Sequence, residues 1–272
     1  MSEFKLILAD IDGTILPAGH HQVSERTTAA LEAALDAGIR VGVATGRARE
    51  WAIPMLRNKQ RLADTMLATN GMQVFLDGEL LHEEQISNKQ IGRMAEFLEQ
   101  LPHAGLVCFD GGVPQLVAGS IKDMEQCFPK YVESCRILHE LPSTPTVKCN
   151  AFQVGDLDNT RNFSALLNEQ FDDLSFDVPQ PAWVNVTPHG WSKATGIDLL
   201  CQAIGCSLDA VAVFGDGGND VTMLEHVPYS VAVQGAAPEA LAAARYHIGR
   251  CEDDAVAATI EAIVAGRWEA QD

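Results

Sequence analysis

Apolar runs of strand length alternate with helical patterns along the first seventy residues. FKLILAD (4–10) is continuously apolar up to its final acid, which predicts a strand buried on both faces. A helix is predicted from Ser24 to a stop at Gly38, and IRVGVATG (39–46) predicts a second strand. After a helix from about Ala48, MLATNG (66–71) predicts a third strand. This β-α-β-α-β order is typical of a doubly wound α/β sheet.

The middle of the chain follows a different pattern. MQVFLDGELLH (72–82) and LVCFDGGVPQLV (106–117) each have a glycine turn between strand-like halves, which predicts two hairpins. A helix is predicted between them, because Ile91, Met94 and Phe97 recur at helical spacing. Further strands are predicted at 146–154, 174–178 and 183–187, with a helix near 160–170. This region therefore reads as an α+β unit with antiparallel strands.

The α/β pattern returns after Trp191. AVAVFGD (210–216) is another apolar strand that ends in an acid, and SVAV (230–233) predicts one more; helices are predicted before and after both. We therefore predict a doubly wound, Rossmann-like parallel-sheet core made of residues 1–80 and 190–272. Residues 81–189 are predicted to form an inserted α+β domain.

Charge and cysteine content narrow the classes of partner. Acidic residues outnumber basic ones 37 to 19 among 272 residues, a net charge of −18, which argues against nucleic acid or an anionic membrane as a partner. The seven cysteines form no CxxC pair, as expected in a reducing compartment. The N-terminus has no leader pattern, and no apolar run is long enough to span a bilayer. We predict a cytoplasmic protein.

Polar residues gather where the predicted parallel strands end. Ligands of open parallel sheets bind beyond the carboxyl ends of the strands. The residues predicted at that edge are Asp10, Asp12, Thr45, Gly46, Arg47, Asn70, Gly71, Asp216, Asn219 and Asp220, with Lys193 beginning the helix after the insert.

Several neighbouring carboxylates cannot all stay ionised without a cation. Carboxylates and carbonyls suit Mg²⁺, while a threonine hydroxyl, backbone amides and a lysine suit an anion. A metal with a lysine and amide donors is the equipment of phosphoryl transfer. One carboxylate can attack phosphorus, and a second can move the proton of the leaving group. Asp10 and Asp12, two residues apart, could supply both functions.

Four motifs, taken in order, carry a resemblance to a known family. They are Asp10-Ile-Asp12-Gly13-Thr14, Thr45-Gly46-Arg47, Lys193, and Gly215-Asp216-Gly217-Gly218-Asn219-Asp220. With them, nearly the whole chain resembles phosphatases of the haloacid dehalogenase superfamily, in the Cof-like branch with a large α/β (type IIB) cap. The resemblance implies that the insert is a cap that closes over the site and reads the leaving group.

The resemblance also implies a function for each motif residue. Asp10 would be the nucleophile and a Mg²⁺ ligand; Asp12 would be the general acid/base, with its backbone carbonyl on the metal. Asp216 would be a metal ligand, and Asp220 would hold metal-bound waters or Lys193. The phosphate would be held by Thr45, Gly46, Lys193 and Asn219, with Arg47 and Asn70 in support. Two residues depart from the branch: Ala194 replaces a usual glycine, and Asn185 stands where an acid is expected.

The leading hypothesis is a Mg²⁺-dependent hydrolase of a small phosphate monoester such as a sugar phosphate. A phosphomutase of the same superfamily is an alternative, which would isomerise its substrate without releasing phosphate. A signalling receiver domain uses similar residues but is about half as long, lacks an insert and carries its aspartate after a later strand. A degenerate binding protein is disfavoured because every chemical position is filled.

Overall fold

The chain divides into two compact units. The computed structural model describes residues 4–138, 140–142 and 145–268. One unit runs to His82 and resumes at Ser192, and the other is the continuous segment Glu83–Trp191. We call these the core unit and the inserted unit. Among the described residues, no helix is both long and apolar enough to cross a membrane.

The core unit is built on one eight-stranded sheet. Its first six strands in spatial order are parallel, and the seventh runs antiparallel to its neighbour. The strands are β1 (Leu6–Ala9), β2 (Arg40–Ala44), β3 (Thr65–Ala68), β4 (Gln73–Leu76), β5 (Glu79–Glu83), β12 (Val211–Gly215), β13 (Tyr229–Gln234) and β14 (Tyr246–Arg250), and they lie in the order β14-β13-β12-β1-β2-β3-β4-β5.

Helices connect parallel strands of this sheet, as the alternating sequence pattern predicts. The connecting helices are α1 (Glu25–Asp36), α2 (Arg49–Met55), α8 (Val221–His226) and α9 (Pro238–Ala243). Two further helices of the unit are α7 (Lys193–Ile204), which precedes β12, and α10 (Ala255–Val264), which follows β14. The central strand β1 is wholly buried, since it has strands on both edges and apolar residues on both faces. The predicted doubly wound α/β fold with an inserted α+β segment is confirmed.

The third strand is shorter than the sequence pattern predicts. It ends at Ala68, and Thr69, Asn70 and Gly71 turn away with φ of +50°, +59° and +89°. These values lie in the left-handed region, which a β-branched residue such as threonine rarely adopts. The predicted strand over 66–71 is therefore wrong in its last three residues, because contacts with neighbouring loops hold them in a turn.

The inserted unit contains a six-stranded sheet of mostly antiparallel strands. Its β7–β8 pair is parallel. The strands are β6 (Ala104–Asp110), β7 (Val113–Ala118), β8 (Arg136–Ile137), β9 (Cys149–Gln153), β10 (Leu174–Gln180) and β11 (Trp183–Pro188), in the order β10-β11-β9-β6-β7-β8, and the helices are α3 (Asn88–Leu98), α4 (Ile121–Cys127), α5 (Pro129–Val132) and α6 (Leu157–Gln170).

The helices α4 and α5 have no counterpart in the sequence prediction. Their aromatic residues pack on the sheet: the rings of Phe128 and Trp183 lie 3.9 Å apart, and those of Tyr131 and Phe109 lie 5.5 Å apart. Both partners are far away in sequence. Contacts of this range stabilise short helices that local pattern does not specify.

The N-terminus of α1 is capped by Ser24. Its Oγ accepts a hydrogen bond from the backbone N–H of Thr27 (2.9 Å) and donates one to Oδ1 of Asp254 (2.6 Å), the residue that precedes α10. A helix N-terminus has unsatisfied backbone N–H groups, which such a side chain satisfies. The same hydroxyl thus caps one helix and ties it to another.

Ser24→Ala should lower the free energy of unfolding by about 1–2 kcal/mol, because it removes both hydrogen bonds. Urea denaturation followed by circular dichroism measures the change. Ser207→Ala is the matched control, since Ser207 is exposed and its side chain caps no helix. Equal stabilities of the two variants would contradict the capping function of Ser24.

Candidate active site

The two acids that follow β1 have different surroundings. Asp10 is buried, with 5% of its surface exposed, and its backbone N–H donates to the carbonyl of Phe214 on β12 (2.9 Å). The Asp12 side chain is half exposed and forms a bidentate ion pair with Arg47, with Nε–Oδ2 at 2.6 Å and Nη2–Oδ1 at 2.8 Å. One carboxylate is therefore held in the protein interior and the other lies at the surface of the site.

A buried lysine holds the first of these acids. Lys193 is the first residue of α7 and is 1% exposed. Its Nζ donates to Oδ1 of Asp10 (2.8 Å), to Oδ1 of Asp220 (2.5 Å) and to the carbonyl of Ala44 (2.7 Å). All three ammonium protons thus have acceptors. The ion pairs connect the ends of β1 and β12 through the start of a helix that follows the insert.

The loop after β12 brings Asp216 and Asp220 into the same group. Oδ2 of Asp220 accepts the backbone N–H groups of Asp216 and Gly217, each at 2.9 Å. Oδ1 of Asp216 accepts the hydroxyl of Thr14 at 2.6 Å. At Gly13 (φ +84°), a Cβ would lie 2.3 Å from Oδ2 of Asp216, so only glycine fits there.

Three carboxylates share this space. Asp10, Asp216 and Asp220 each offer an oxygen, and these oxygens lie within 4.8 Å of one another. Burial raises the pKa of Asp10 well above its usual value; Lys193 opposes this shift, and the neighbouring acids add to it. Burial and the charge of Asp220 also raise the pKa of Asp216, to about 7.

The pKa of Lys193 shifts in the direction that favours its charged form. Burial alone would lower the pKa of Lys193, but the carboxylates of Asp10 and Asp220 outweigh it and raise the pKa above its ordinary value. If all three acids were ionised, one ammonium would leave an excess of negative charge. An all-oxygen donor set with such an excess fits a hard divalent cation such as Mg²⁺.

Polar groups of the anion-binding kind lie beside this cluster. Thr45 is buried just beyond β2, and its Oγ1 accepts the backbone N–H of Arg47 (3.2 Å). Asn219 donates from Nδ2 to Oδ1 of Asn70 (3.1 Å), and a Cβ on Gly46 would lie 3.2 Å from the same oxygen. The three loops that carry these residues are therefore in contact.

The core unit thus holds every motif residue that the sequence analysis selects for the site. The carboxylate of Asp12 lies with Arg47, and Asp220 completes the three-acid group. Two further groups of the site were not predicted from the sequence. The hydroxyl of Thr14 binds Asp216, and the position of Thr14 within the first motif was the available signal. The carbonyl of Ala44 binds Lys193, but main-chain acceptors leave no trace in sequence.

Two residues, Ala194 and Asn185, depart from the pattern of the Cof-like branch. Ala194 lies partly exposed in the first turn of α7. Asn185 lies in the inserted unit, on β11, and is 4% exposed. Its Nδ2 donates to Oδ1 of Asp177 on the adjacent strand (2.7 Å), and its Oδ1 accepts from Asn150 (2.9 Å). An acid is therefore present beside position 185, supplied by the neighbouring strand.

Comparison with known proteins agrees with this geometry. Residues 7–260 match the family model of haloacid dehalogenase-like hydrolases. The chain is 29% identical over 273 residues to the phosphoglycolate phosphatase of Pyrobaculum aerophilum, covering 96% of each protein. It is 26% identical over 256 residues to the chloroplastic endoribonuclease YBEY of Arabidopsis thaliana, covering 89% of this chain but only 43% of that protein.

A solved structure shares the fold. It is described as the subclass IIB sugar phosphatase BT4131, with a TM-score of 0.80, 24% identity, and coverage of 94% of this chain and 98% of that one. The chain belongs to the haloacid dehalogenase-like hydrolase family, and it is an enzyme of that family. The resemblance found in its four motifs is thereby confirmed.

The raised pKa of Asp216 predicts a pH-dependent stability in chelator. The folded protein keeps a proton up to about pH 7, whereas an unfolded aspartate loses it near 3.8. The native state therefore binds more protons between these values, and stability falls as the pH rises, by up to about 4 kcal/mol at roughly 1.4 kcal/mol per pKa unit. Urea denaturation at pH 5 and 7.5 covers about two of these pKa units and should show a fall of about 3 kcal/mol.

Asp216→Asn should reduce the pH dependence of stability without removing it, since the pKa of Asp10 is raised as well. Asp209→Asn, at an exposed position, is the matched control and should keep the wild-type dependence. Mg²⁺ should stabilise the wild type more at pH 7.5 than at pH 5, because fewer protons then compete. A wild type that is equally stable at both pH values in chelator would sink this prediction.

Proposed function

We propose that the protein is a Mg²⁺-dependent phosphomonoester hydrolase that acts on a small phosphorylated metabolite, such as a sugar phosphate, through an aspartyl-phosphate intermediate. The observation that carries this proposal is the buried Asp10 carboxylate, bound by Lys193 within a group of three acids. The phosphatase named among the relatives and the sugar phosphatase among the structural neighbours support the reaction and the substrate class.

One carboxylate oxygen of Asp10 is available to act as the nucleophile. Lys193 binds Oδ1, and Oδ2 has no hydrogen-bond partner among the described residues. In the proposed reaction Oδ2 attacks phosphorus as the bond to the leaving oxygen breaks. Lys193 fixes the rotation of the carboxylate, so that the attacking oxygen is held in place.

Asp12 handles the protons of both half-reactions. It gives a proton to the departing oxygen, which leaves as an alcohol, and later takes one from the water that attacks the aspartyl-phosphate. The second step regenerates Asp10 and releases inorganic phosphate. The ion pair with Arg47 keeps the Asp12 side chain at a defined position in the site.

The metal would be held by the carboxylates of Asp10 and Asp216, by the backbone carbonyl of Asp12 and through Asp220. When bound, Mg²⁺ supplies positive charge that offsets the charge of the phosphoryl group. Thr45, the amide of Gly46 and Asn219 would bind the phosphoryl oxygens. Lys193 joins them in this proposal only after exchanging one of its three present acceptors.

Charge and cysteine content bear on the partners of the protein and on its compartment. A net charge of −18 disfavours nucleic acid and anionic membranes as partners, which is compatible with a free small molecule as the substrate. Seven cysteines, all of them free, fit a reducing compartment, and we place the enzyme in the cytoplasm.

The direct test is phosphate release from a panel of sugar phosphates and an aryl phosphate. Release should require Mg²⁺ and stop with chelator, and Ca²⁺ should inhibit, because its looser coordination misplaces the attacking carboxylate. Asp10→Asn should lose activity entirely while keeping its fold, and Asp12→Ala should lose about 10²–10⁴-fold through lost proton transfer.

Asp209→Asn, away from the motifs, controls for purification and should keep wild-type activity. Release that survives exhaustive chelation would remove the metal from the proposal. Near-normal activity in Asp10→Asn would remove the nucleophile. Isomerised ester without free phosphate would point instead to a phosphomutase.

The inserted unit is proposed to be the cap that reads the leaving group. Its connections to the core unit lie at residues 82–83 and 191–192, the second just before Lys193. Substitutions in the β6–β7 turn, from Asp110 to Val113, should change which substrate is preferred, while aryl phosphate hydrolysis persists. Lys193→Ala should damage all substrates alike.

Values of kcat/KM across the panel, measured for each variant, test whether the inserted unit sets substrate preference while the core unit serves all substrates. Turn variants that lose all activities in proportion would contradict it, as would a core variant that shifts preference.

A further inference from the structure

The turn after β3 is strained and buried beside the proposed phosphate site. Asn70 has φ of +59°, is 5% exposed, and lies between Thr69, also at positive φ, and Gly71. Left-handed backbone at non-glycine residues is costly and persists where the surroundings impose it. The contacts that impose it here show what the turn does.

Each residue of the turn contacts a loop that carries a motif. The backbone N–H of Asn70 donates to the carbonyl of Thr45 (2.8 Å), and that of Thr69 donates to the carbonyl of Arg47 (3.0 Å). The turn is therefore joined to the Thr45–Arg47 loop by two main-chain hydrogen bonds.

The next residue contacts the start of α7. A Cβ on Gly71 would lie 2.6 Å from the carbonyl oxygen of Ser192, the residue before Lys193. The helix that positions the buried lysine therefore begins directly against the turn.

The side chain of Asn70 contacts the fourth motif. Its Oδ1 accepts from Nδ2 of Asn219 at 3.1 Å. A carboxamide presents either donors or an acceptor, depending on which way it is rotated. With the Asn70 oxygen facing Asn219, the nitrogen of Asn219 is turned toward it, and a flip of Asn219 alone would place two oxygens together.

This orientation suits an anion. The Nδ2 group of Asn219 has two protons, and Asn70 takes one; the other has no partner among the described residues. A remaining donor beside the three-acid group attracts a phosphoryl oxygen, whereas a carbonyl oxygen would repel it.

We infer that Asn70 is a positioning residue, which orients the Asn219 carboxamide and supports the Thr45–Arg47 loop so that both present donors to a phosphoryl group. This inference rests on the proposed function, since it takes the site's anion to be a phosphate. It goes further by assigning the orientation of the phosphate-binding groups to a residue outside the four motifs.

Asn70→Gly is the main test, because glycine accepts the left-handed backbone and only the side chain is lost. It should raise KM for an aryl phosphate and Ki for inorganic phosphate about tenfold, the effect of losing one charge-assisted hydrogen bond. The value of kcat should change by less than about threefold, because the lost binding is common to ground and transition states.

A double-mutant cycle shows whether the effect passes through Asn219. Asn219→Ala should raise Ki by a similar factor, and adding Asn70→Gly should not raise it further. Effects of the two substitutions that multiply would overturn the inference, as would an unchanged Ki in Asn70→Gly.

The chain supplies a control for backbone strain. Asn58 also has a positive φ (+58°), but it is exposed, and its backbone N–H donates to the carbonyl of Ile53 (3.0 Å) rather than to a motif residue. Asn58→Ala and Asn70→Ala impose the same left-handed strain on alanine. Both should lower the melting temperature, and only Asn70→Ala should raise Ki.

A second measurement does not need activity. The side-chain amide signals of Asn219, identified by their absence from Asn219→Ala, should be shifted and lose protection from solvent exchange in Asn70→Gly. Signals unchanged by Asn70→Gly would overturn the inference.

If the wild type hydrolyses no ester, the proposed function fails, and the dissociation constant of inorganic phosphate with Mg²⁺, from calorimetry, replaces Ki. A change in the amide signals together with weaker phosphate binding would then still support the positioning function of Asn70. Absence of phosphate binding by the wild type would overturn both proposals.

Discussion

The site depends on one buried ammonium group. Lys193 donates to Asp10, Asp220 and the Ala44 carbonyl, and so joins the ends of β1, β2 and β12 at a single atom. A buried charge is costly unless it is paired and fully hydrogen-bonded, and here every ammonium proton has an acceptor. The same pairing holds Asp10 and Asp220 in the interior, where burial and the charge of Asp220 raise the pKa of Asp10 and of Asp216. The catalytic chemistry that we propose starts from this arrangement.

The loops around the Lys193 ammonium are closely packed, and this packing restricts which residues can occupy them. Gly13 is required because Asp216 lies where a Cβ would stand, and the left-handed turn at Thr69 and Asn70 is imposed by the carbonyls of the Thr45–Arg47 loop. Strain of this kind is tolerated where neighbouring hydrogen bonds oppose its release. The site is therefore a set of mutually supported loops rather than a series of independent motifs.

The internal contacts that stabilise the core unit differ in kind from those that stabilise the inserted unit. In the core unit, strands buried on both faces form continuous apolar runs, which is why their pattern is easy to read. In the inserted unit, the short helices α4 and α5 pack through aromatic rings onto Trp183 and Phe109. Local sequence carries little information about such helices, since their stability comes from partners on distant strands.

The sequence by itself determined the fold class and the family and indicated the candidate site residues, because apolar periodicity and the four motifs are local patterns. The tertiary structure decided how those residues are arranged. It ended β3 at Ala68, paired Asp12 with Arg47, and placed Asp220 with Asp10 and Asp216 around the buried lysine. It also joined the side chains of Asn219 and Asn70 by a hydrogen bond, across 149 residues of chain. These choices depend on distances between distant loops and on main-chain acceptors such as the Ala44 carbonyl, neither of which a residue pattern records.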